Sequence, residues 1–122
     1  MARDTWGWHL TLDISSANEK VKDPEFLKEW VKQLVKDISM VAYGEPQVIH
    51  FGEGEAHLSG WTVQQFIETS NITCHFCDEH QDGYIDVFSC KEFDPEIVIK
   101  NINDNFGPKE IEKRLFTRGV NR

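Results

Sequence analysis

Long apolar runs are missing from this chain. No stretch approaches the roughly 20 residues that a membrane-spanning helix requires. The opening residues, MARDTWGWHL, hold no apolar core of a secretory signal. The expectation is a cytoplasmic protein with no membrane partner. Cysteine is scarce: three residues cannot all pair with one another, and a cytoplasmic setting keeps thiols reduced. Glycine and proline number 8 and 4, too few for a disordered or collagen-like chain. Repeats and low-complexity tracts are absent. Cations are the minority charge, 13 Lys and Arg against 21 Asp and Glu, for a net charge of −8. Such a chain repels phosphate backbones, so no nucleic-acid partner is expected.

What is present fits one soluble domain. The 122 residues include 39% apolar and 28% charged side chains, an ordinary globular balance, and residues 1–122 are read as a single domain. The charge is uneven. Residues 109–122 carry a net +3, which leaves −11 on the other 108. A cationic substrate or basic partner would meet a favourable field, although the first reading of an acidic surface is solubility.

Apolar periodicity places the elements. Trp8, Leu10, Leu12 and Ile14 alternate with His9, Thr11, Asp13 and Ser15, the pattern of a half-buried strand. Asp23-Pro24-Glu25 supplies a cap, a first-turn proline and an acid for the positive helix end. Leu27, Trp30, Val31, Leu34, Val35, Ile38 and Val41 then recur at helical spacing. Gly44 and Pro46 are expected to end that helix. Strands are expected over Gln47–Phe51, Ala56–Ser59, Trp61–Thr69, Asn71–Cys77 and Tyr84–Cys90, with Asp82-Gly83 as a hairpin turn. Asp94-Pro95-Glu96 repeats the helix-start signature, Gly107-Pro108 stops the second helix, and Ile111–Thr117 is read as a last strand. The expected fold is α+β: a two-layer α/β sandwich, mostly antiparallel sheet with two helices on one face. The other face must then be solvated or covered by a partner.

Residues 60–90 carry the candidate chemistry. Thr62 and Ser70 share the parity of a regular strand, Asn71, Thr73 and His75 form the polar side after Ser70, and Cys90 ends the next strand. A hydroxyl pair, an imidazole and a thiol are therefore expected to converge on one sheet face. Cys74 and Cys77 fall on opposite faces of their strand, which argues against joint metal binding. No second C-x-x-C accompanies them, so no metal is expected. His57 and His80 are read as surface residues. Trp6, Trp8 and Phe51 are candidates to stack an aromatic base, with packing the competing role.

This pattern resembles the prokaryotic S-adenosylmethionine decarboxylases, pyruvoyl-dependent enzymes of spermidine synthesis. Gly60-Trp61-Thr62-Val63, Thr69 to Glu79, and Asp86-Val87-Phe88-Ser89-Cys90 stand where the family has G-V-x-G, E-S-H-x-x-x-H-T-W-P-E and D-x-F-T-C. The Ser, His and Cys spacings match without a gap. Gly7-Trp8-His9-Leu10 is similar to the family's G-x-H-L start. The resemblance implies a proenzyme that cuts itself between Thr69 and Ser70, converting Ser70 into a pyruvoyl group that forms a Schiff base with the substrate amine. It implies His75 as the processing acid/base, Thr62 in place of an assisting Ser, and Cys90 as the proton donor that completes decarboxylation. Asp13, Phe51 and Asn71 are the implied substrate-binding residues, and a homodimer with its site where two chains meet is implied as well.

Departures bear mainly on the substrate. The family's Glu and His around the Ser are Thr69 and Asn71 here, and T-W-P-E has become Phe76-Cys77-Asp78-Glu79. The segment from His50-Phe51 to Gly60 is longer and lacks the family's proline, and Asp13 stands for a longer Glu in many relatives. Arginine or ornithine as substrate, or an unprocessed regulatory homologue, are the alternative expectations.

Overall fold

A computed structural model describes residues 4–121. In chain order its elements are β1 (Gly7–Ser15), a 3-10 turn (Glu19–Lys22), α1 (Pro24–Asp37), β2 (Ala42–Phe51), β3 (Gly60–Ile67), β4 (Ser70–Cys77), β5 (Gly83–Ser89), α2 (Pro95–Phe106) and β6 (Glu110–Arg118). The six strands form one sheet in the order β2-β3-β4-β5-β1-β6, and every neighbouring pair is antiparallel. This is the α+β two-layer sandwich expected from the sequence.

Both helices start as their cap signatures dictate. The Asp23 carboxylate accepts the backbone N–H groups of Glu25 and Phe26 at 3.1 and 3.2 Å, and Asp94 accepts that of Glu96 at 2.9 Å. The second helix stops at Gly107, left-handed at φ 50°, as expected. The first does not reach Gly44. Ser39 turns left-handed at φ 59°, and the Met40 N–H closes on the Val35 carbonyl at 2.9 Å. Gly44 to Pro46 instead lie within β2, where the β2–β3 register shifts between Tyr43 and Gln47. Buried Gln65 donates from Nε2 to the Tyr43 and Gly44 carbonyls of that bulge.

Residues Ala56–Ser59 are not a strand. Gly52 and Gly54 take positive φ values, and the Leu58 and Ser59 N–H groups both turn back to the Glu55 carbonyl at 2.8 Å. The chain enters β3 at Gly60, where an added Cβ would overlap the Phe76 carbonyl, so only glycine lets the two backbones approach. The expected strand to Thr69 stops at Ile67, and Glu68-Thr69 make a two-residue turn into β4.

The core lies between the sheet and the helices. Leu10, Leu12, Ile14, Val63, Ile72, Ile85 and Val87 line the helix side of the sheet, fully or almost fully buried. Trp30 meets Phe76 and Phe106 edge-on at ring separations of 5.6 and 4.9 Å. Its indole N–H donates to Asn101 Oδ1 at 2.6 Å, and Asn101 donates on to Asp37, which ties the helices together. No described helix is long and apolar enough to cross a membrane. The opposite sheet face is open. It presents Phe66, Tyr84 and Phe116, all exposed, among half-buried polar groups. The two outermost strands are marked by composition: β2 carries Pro46 within its bulge, and β6 carries Lys113, Arg114 and Arg118.

Candidate active site

Strand β4 carries Ser70 at its first residue and His75 five residues on. At ~3.4 Å per residue, five steps along a strand are about 17 Å. The predicted site residues therefore sort into two clusters within one chain, and the expectation that hydroxyl, imidazole and thiol converge is corrected at this point.

The first cluster surrounds the Thr69–Ser70 peptide. The turn at Glu68-Thr69 resets the alternation, so Ser70 pairs with Ile67 on β3 and Ser89 on β5. These are buried, helix-side residues, so Ser70 does not share the parity of Thr62 as a straight strand would have it. Ser70 has φ 157°, at the margin of the extended region. Its hydroxyl oxygen accepts from Asn71 Nδ2 at 3.3 Å. The Thr69 carbonyl accepts the backbone N–H of Cys90 at 3.0 Å. The Thr69 hydroxyl lies 2.7 Å from that of Ser89, and the Cys90 thiol is exposed. Thr69, Ser70, Asn71 and Cys90 are thus brought together.

The second cluster sits at the far end of β3 and β4. Thr62 pairs directly with His75, and Thr62 Oγ1 is 2.8 Å from His75 Nδ1. His75 Nε2 is 2.9 Å from the Leu58 carbonyl. A carbonyl can only accept, so Nε2 carries the proton of the neutral ring. Nδ1 is then an acceptor for the Thr62 hydroxyl. The loop that supplies Leu58 is pinned from behind. His50 Nε2 donates to Asp78 at 2.7 Å, its Nδ1 lies 3.0 Å from Glu53, and the bond to Asp78 raises the His50 pKa.

The implied substrate residues divide between the clusters. Asp13 lies across from Tyr84, itself across from His75, and its carboxylate accepts from Arg114 at 3.1 Å. Phe51 is exposed at the end of β2, opposite Gly60. Asn71 belongs to the Ser70 cluster. Of the three candidate stacking residues, exposed Trp6 leans on Phe88 at 5.7 Å, Trp8 packs against the core, and Phe51 stands apart from both.

Two open clefts flank these clusters. One, of about 720 Å³, is lined by Lys22, His50, Ser59, Trp61 and Asp78 among others. The other, of about 730 Å³, is lined by Asp13, Asp82, Tyr84 and Glu112 among others. Neither includes Ser70 or Cys90. Burial raises the Cys74 thiol well above its usual pKa and pushes Cys77 up to about 11, which makes both poor nucleophiles. Among the described residues, no group of three His, Cys, Asp or Glu is arranged to hold a metal ion.

Sequence reading missed two residues that hold the clusters. Ser89 bonds the Thr69 hydroxyl, and Leu58 supplies its carbonyl to His75. For Ser89 a signal existed: it is the polar residue on the Ile85–Val87 side of its strand. For Leu58 none did, because a backbone carbonyl leaves no trace in side-chain patterning.

A sandwich of this topology has counterparts among known proteins. The family model described as S-adenosylmethionine decarboxylase matches residues 8–119. The chain belongs to the S-adenosylmethionine decarboxylase family. Its relatives include S-adenosylmethionine decarboxylase proenzymes of Sulfurihydrogenibium (30% identical over 122 residues, covering 95% of this chain and 84% of the relative) and Hydrogenobaculum (28% identical over 121 residues, with the same coverage). The crystal structure of the adenosylmethionine decarboxylase from Aquifex aeolicus shares the fold at a TM-score of 0.79, with 24% identity over 98% of this chain and 95% of that one.

Proposed function

We propose that the chain is a self-processing proenzyme that becomes a pyruvoyl-dependent decarboxylase of S-adenosylmethionine, in the polyamine branch that leads to spermidine, and that it works as a homodimer in the cytoplasm. The observation that carries this reading is the setting of the Thr69–Ser70 peptide. The attacking hydroxyl belongs to Ser70, and the carbonyl it must attack accepts the Cys90 N–H at 3.0 Å. A donor on that oxygen favours the negative charge that builds there during attack. Self-cleavage balances as follows. Ser70 Oγ bonds to the Thr69 carbonyl carbon, the Thr69–Ser70 C–N bond breaks, and the Oγ proton ends on the freed nitrogen. Loss of the Ser70 Cα proton then expels Thr69 as a carboxylate. Water replaces ammonia on the remaining unsaturated residue and leaves a pyruvoyl group at position 70.

The surroundings fit such a group: a polar amide from Asn71, an N–H from Cys90 and an exposed thiol all border position 70. Its ketone supplies an electron sink for the bond to the departing carboxylate. The protein's own part is to hold the substrate and deliver a proton, and Cys90, exposed beside position 70, is the proposed donor. Proton removal during processing is assigned to His75, whose Nε2 faces the Leu58 carbonyl and whose Nδ1 faces the Thr62 hydroxyl. Because about 17 Å of strand separates His75 from Ser70, His75 and Thr62 must come from a second copy. The open sheet face, where Phe66, Tyr84 and Phe116 are exposed among polar side chains, supports such a pairing. Asp13 and Phe51, at the His75 end, are proposed to bind the substrate from that second copy, with Asn71 contributing from the first.

Intact mass under denaturing conditions tests this. Fragments 1–69 and 70–122, the second blocked by pyruvoyl, are expected, with release of CO2 from S-adenosylmethionine. One uncut chain after long incubation defeats the reading and favours an unprocessed homologue. Cleavage with CO2 release only from arginine or ornithine would keep the chemistry and replace the substrate.

A further inference from the structure

We propose that Ser89 is a positioning residue for the self-cleavage at Thr69–Ser70, acting through the side chain of Thr69; this rests on the self-processing reading above. Ser89 occupies a helix-side position of β5 and is fully buried. A hydroxyl there costs stability unless it is hydrogen-bonded, and an apolar side chain would suit the parity of Ile85 and Val87. Its partners explain its presence. The Lys91 N–H donates to Ser89 Oγ at 3.0 Å. Ser89 Oγ–H in turn donates to Thr69 Oγ1 at 2.7 Å, and the Thr69 hydroxyl donates to Met40 Sδ at 3.4 Å. Met40 Sδ also lies 3.7 Å from Ser89 Oγ, but the 2.7 Å contact to Thr69 is much the shorter, so the two hydroxyls and the thioether form one small network.

The consequence concerns the carbonyl that is attacked. Thr69 is the second residue of a two-residue turn, and neither Glu68 nor Thr69 belongs to a strand. The direction of its carbonyl depends on how the turn is rotated. Consecutive residues of the neighbouring strand end hold Thr69 twice: Ser89 by the side chain and Cys90 by the carbonyl. With the Glu68 N–H bonded to the Val41 carbonyl at 2.8 Å, these two grips restrict how far the Thr69 peptide can rotate. The Thr69 carbonyl carbon then stays within reach of Ser70 Oγ while the Cys90 N–H stays on the oxygen. Misplacing a reacting atom by about 1 Å can lower a rate ~100-fold, so a loosened turn should be felt in the rate of cleavage.

The experiment follows cleavage of freshly refolded chain by intact mass, for wild type, Ser89→Ala, Thr69→Val, the double variant and Thr69→Ser. Circular dichroism and thermal melting report folding of each. Ser89→Ala and Thr69→Val are each expected to cut at least about tenfold more slowly. If they act through one shared bond, the double variant is no slower than the slower single. Thr69→Ser, which keeps the hydroxyl, should cut at close to the wild-type rate, a rescue that bulk packing alone does not predict. Folded Ser89→Ala that cuts at the wild-type rate overturns the proposal, and so do single effects that multiply in the double variant. Should Ser89→Ala fail to fold, Thr69→Val and Thr69→Ser decide: equal rates for the two overturn it. A wild type that never cuts defeats the self-processing reading and this proposal with it, whereas a wild type that cuts alongside equally fast variants defeats this proposal alone.

Discussion

At the Ser70 end of β4, the reacting peptide is held by a backbone N–H from Cys90 and a buried hydroxyl from Ser89. At the His75 end the imbalance is reversed: a titratable ring is held by a side-chain hydroxyl on one nitrogen and a loop carbonyl on the other. On the proposed function, the first end presents a bond and stabilises charge on it. The second supplies the acid/base group. Each lacks what the other has, and one strand is both the link and the spacer between them. The difference teaches that a rigid strand can encode half a site at each of its ends, provided that a second copy runs the opposite way.

The largest effect that would break this comparison is complementation. His75→Ala alone and Ser70→Ala alone should each leave their chains uncut, a loss of ~100- to 10,000-fold for a missing acid/base. Mixing the two with subunit exchange should restore cleavage of the His75→Ala chain only, as read by mass. No recovery in verified mixed dimers would mean that the two ends serve one another within a chain. Next in size is Phe76→Ala, which removes the ring packed on Trp30 and Phe106 and is expected to cost about 3–5 kcal/mol in urea unfolding. Phe76 belongs to β4, the strand both clusters share, next to His75, so if that strand opens as one unit, amide exchange should quicken at both ends together. Quickening at one end only would show that they are supported separately.

The smallest effect sharpens the comparison instead. The hydrogen bond to Asp78 raises the His50 pKa, so the charged ring favours the folded state. That contribution is complete below the unfolded value of about 6.5 and fades as pH rises through the raised folded value. Against His50→Gln, the wild type should hold a melting-temperature advantage near pH 5.5 that shrinks by pH 9. The loop amides of residues 57–59 should exchange faster in the variant, while Ser70 is untouched. An advantage that does not change with pH would remove the imidazole charge from the account.

Much of this was legible in the residues. The Asp-Pro-Glu starts at 23–25 and 94–96 work as caps because their carboxylates reach the next free N–H groups. The alternation in β1 and β5 assigns faces correctly because a strand has no other period. The end of α1 was not legible, since Ser39 adopts a conformation usually left to glycine. The turn at Glu68-Thr69 also lacks glycine, asparagine and proline, and missing it put Ser70 on the wrong parity. The residue types of the candidate site came from the family resemblance, since strand parity alone singles out no Ser, His or Cys. Their separation was not legible, because it depends on β3 and β4 staying straight and paired from Gly60–Cys77 to Ile67–Ser70.

The outermost strands decide how such a sheet can meet its copies. Pro46 and the bulge around it interrupt the run of free donors on β2, and β6 carries charged side chains of both signs, Glu110, Glu112, Lys113, Arg114 and Arg118. Another strand adding to either margin would meet a missing donor on one side and a row of charged side chains to desolvate on the other. Lateral growth into a ribbon or fibril is thereby discouraged, and the broad, aromatic-studded surface is left as the place of contact. Association across that surface about a two-fold axis would consume it in both copies at once, so the proposed pairing is one that closes at two copies and does not propagate.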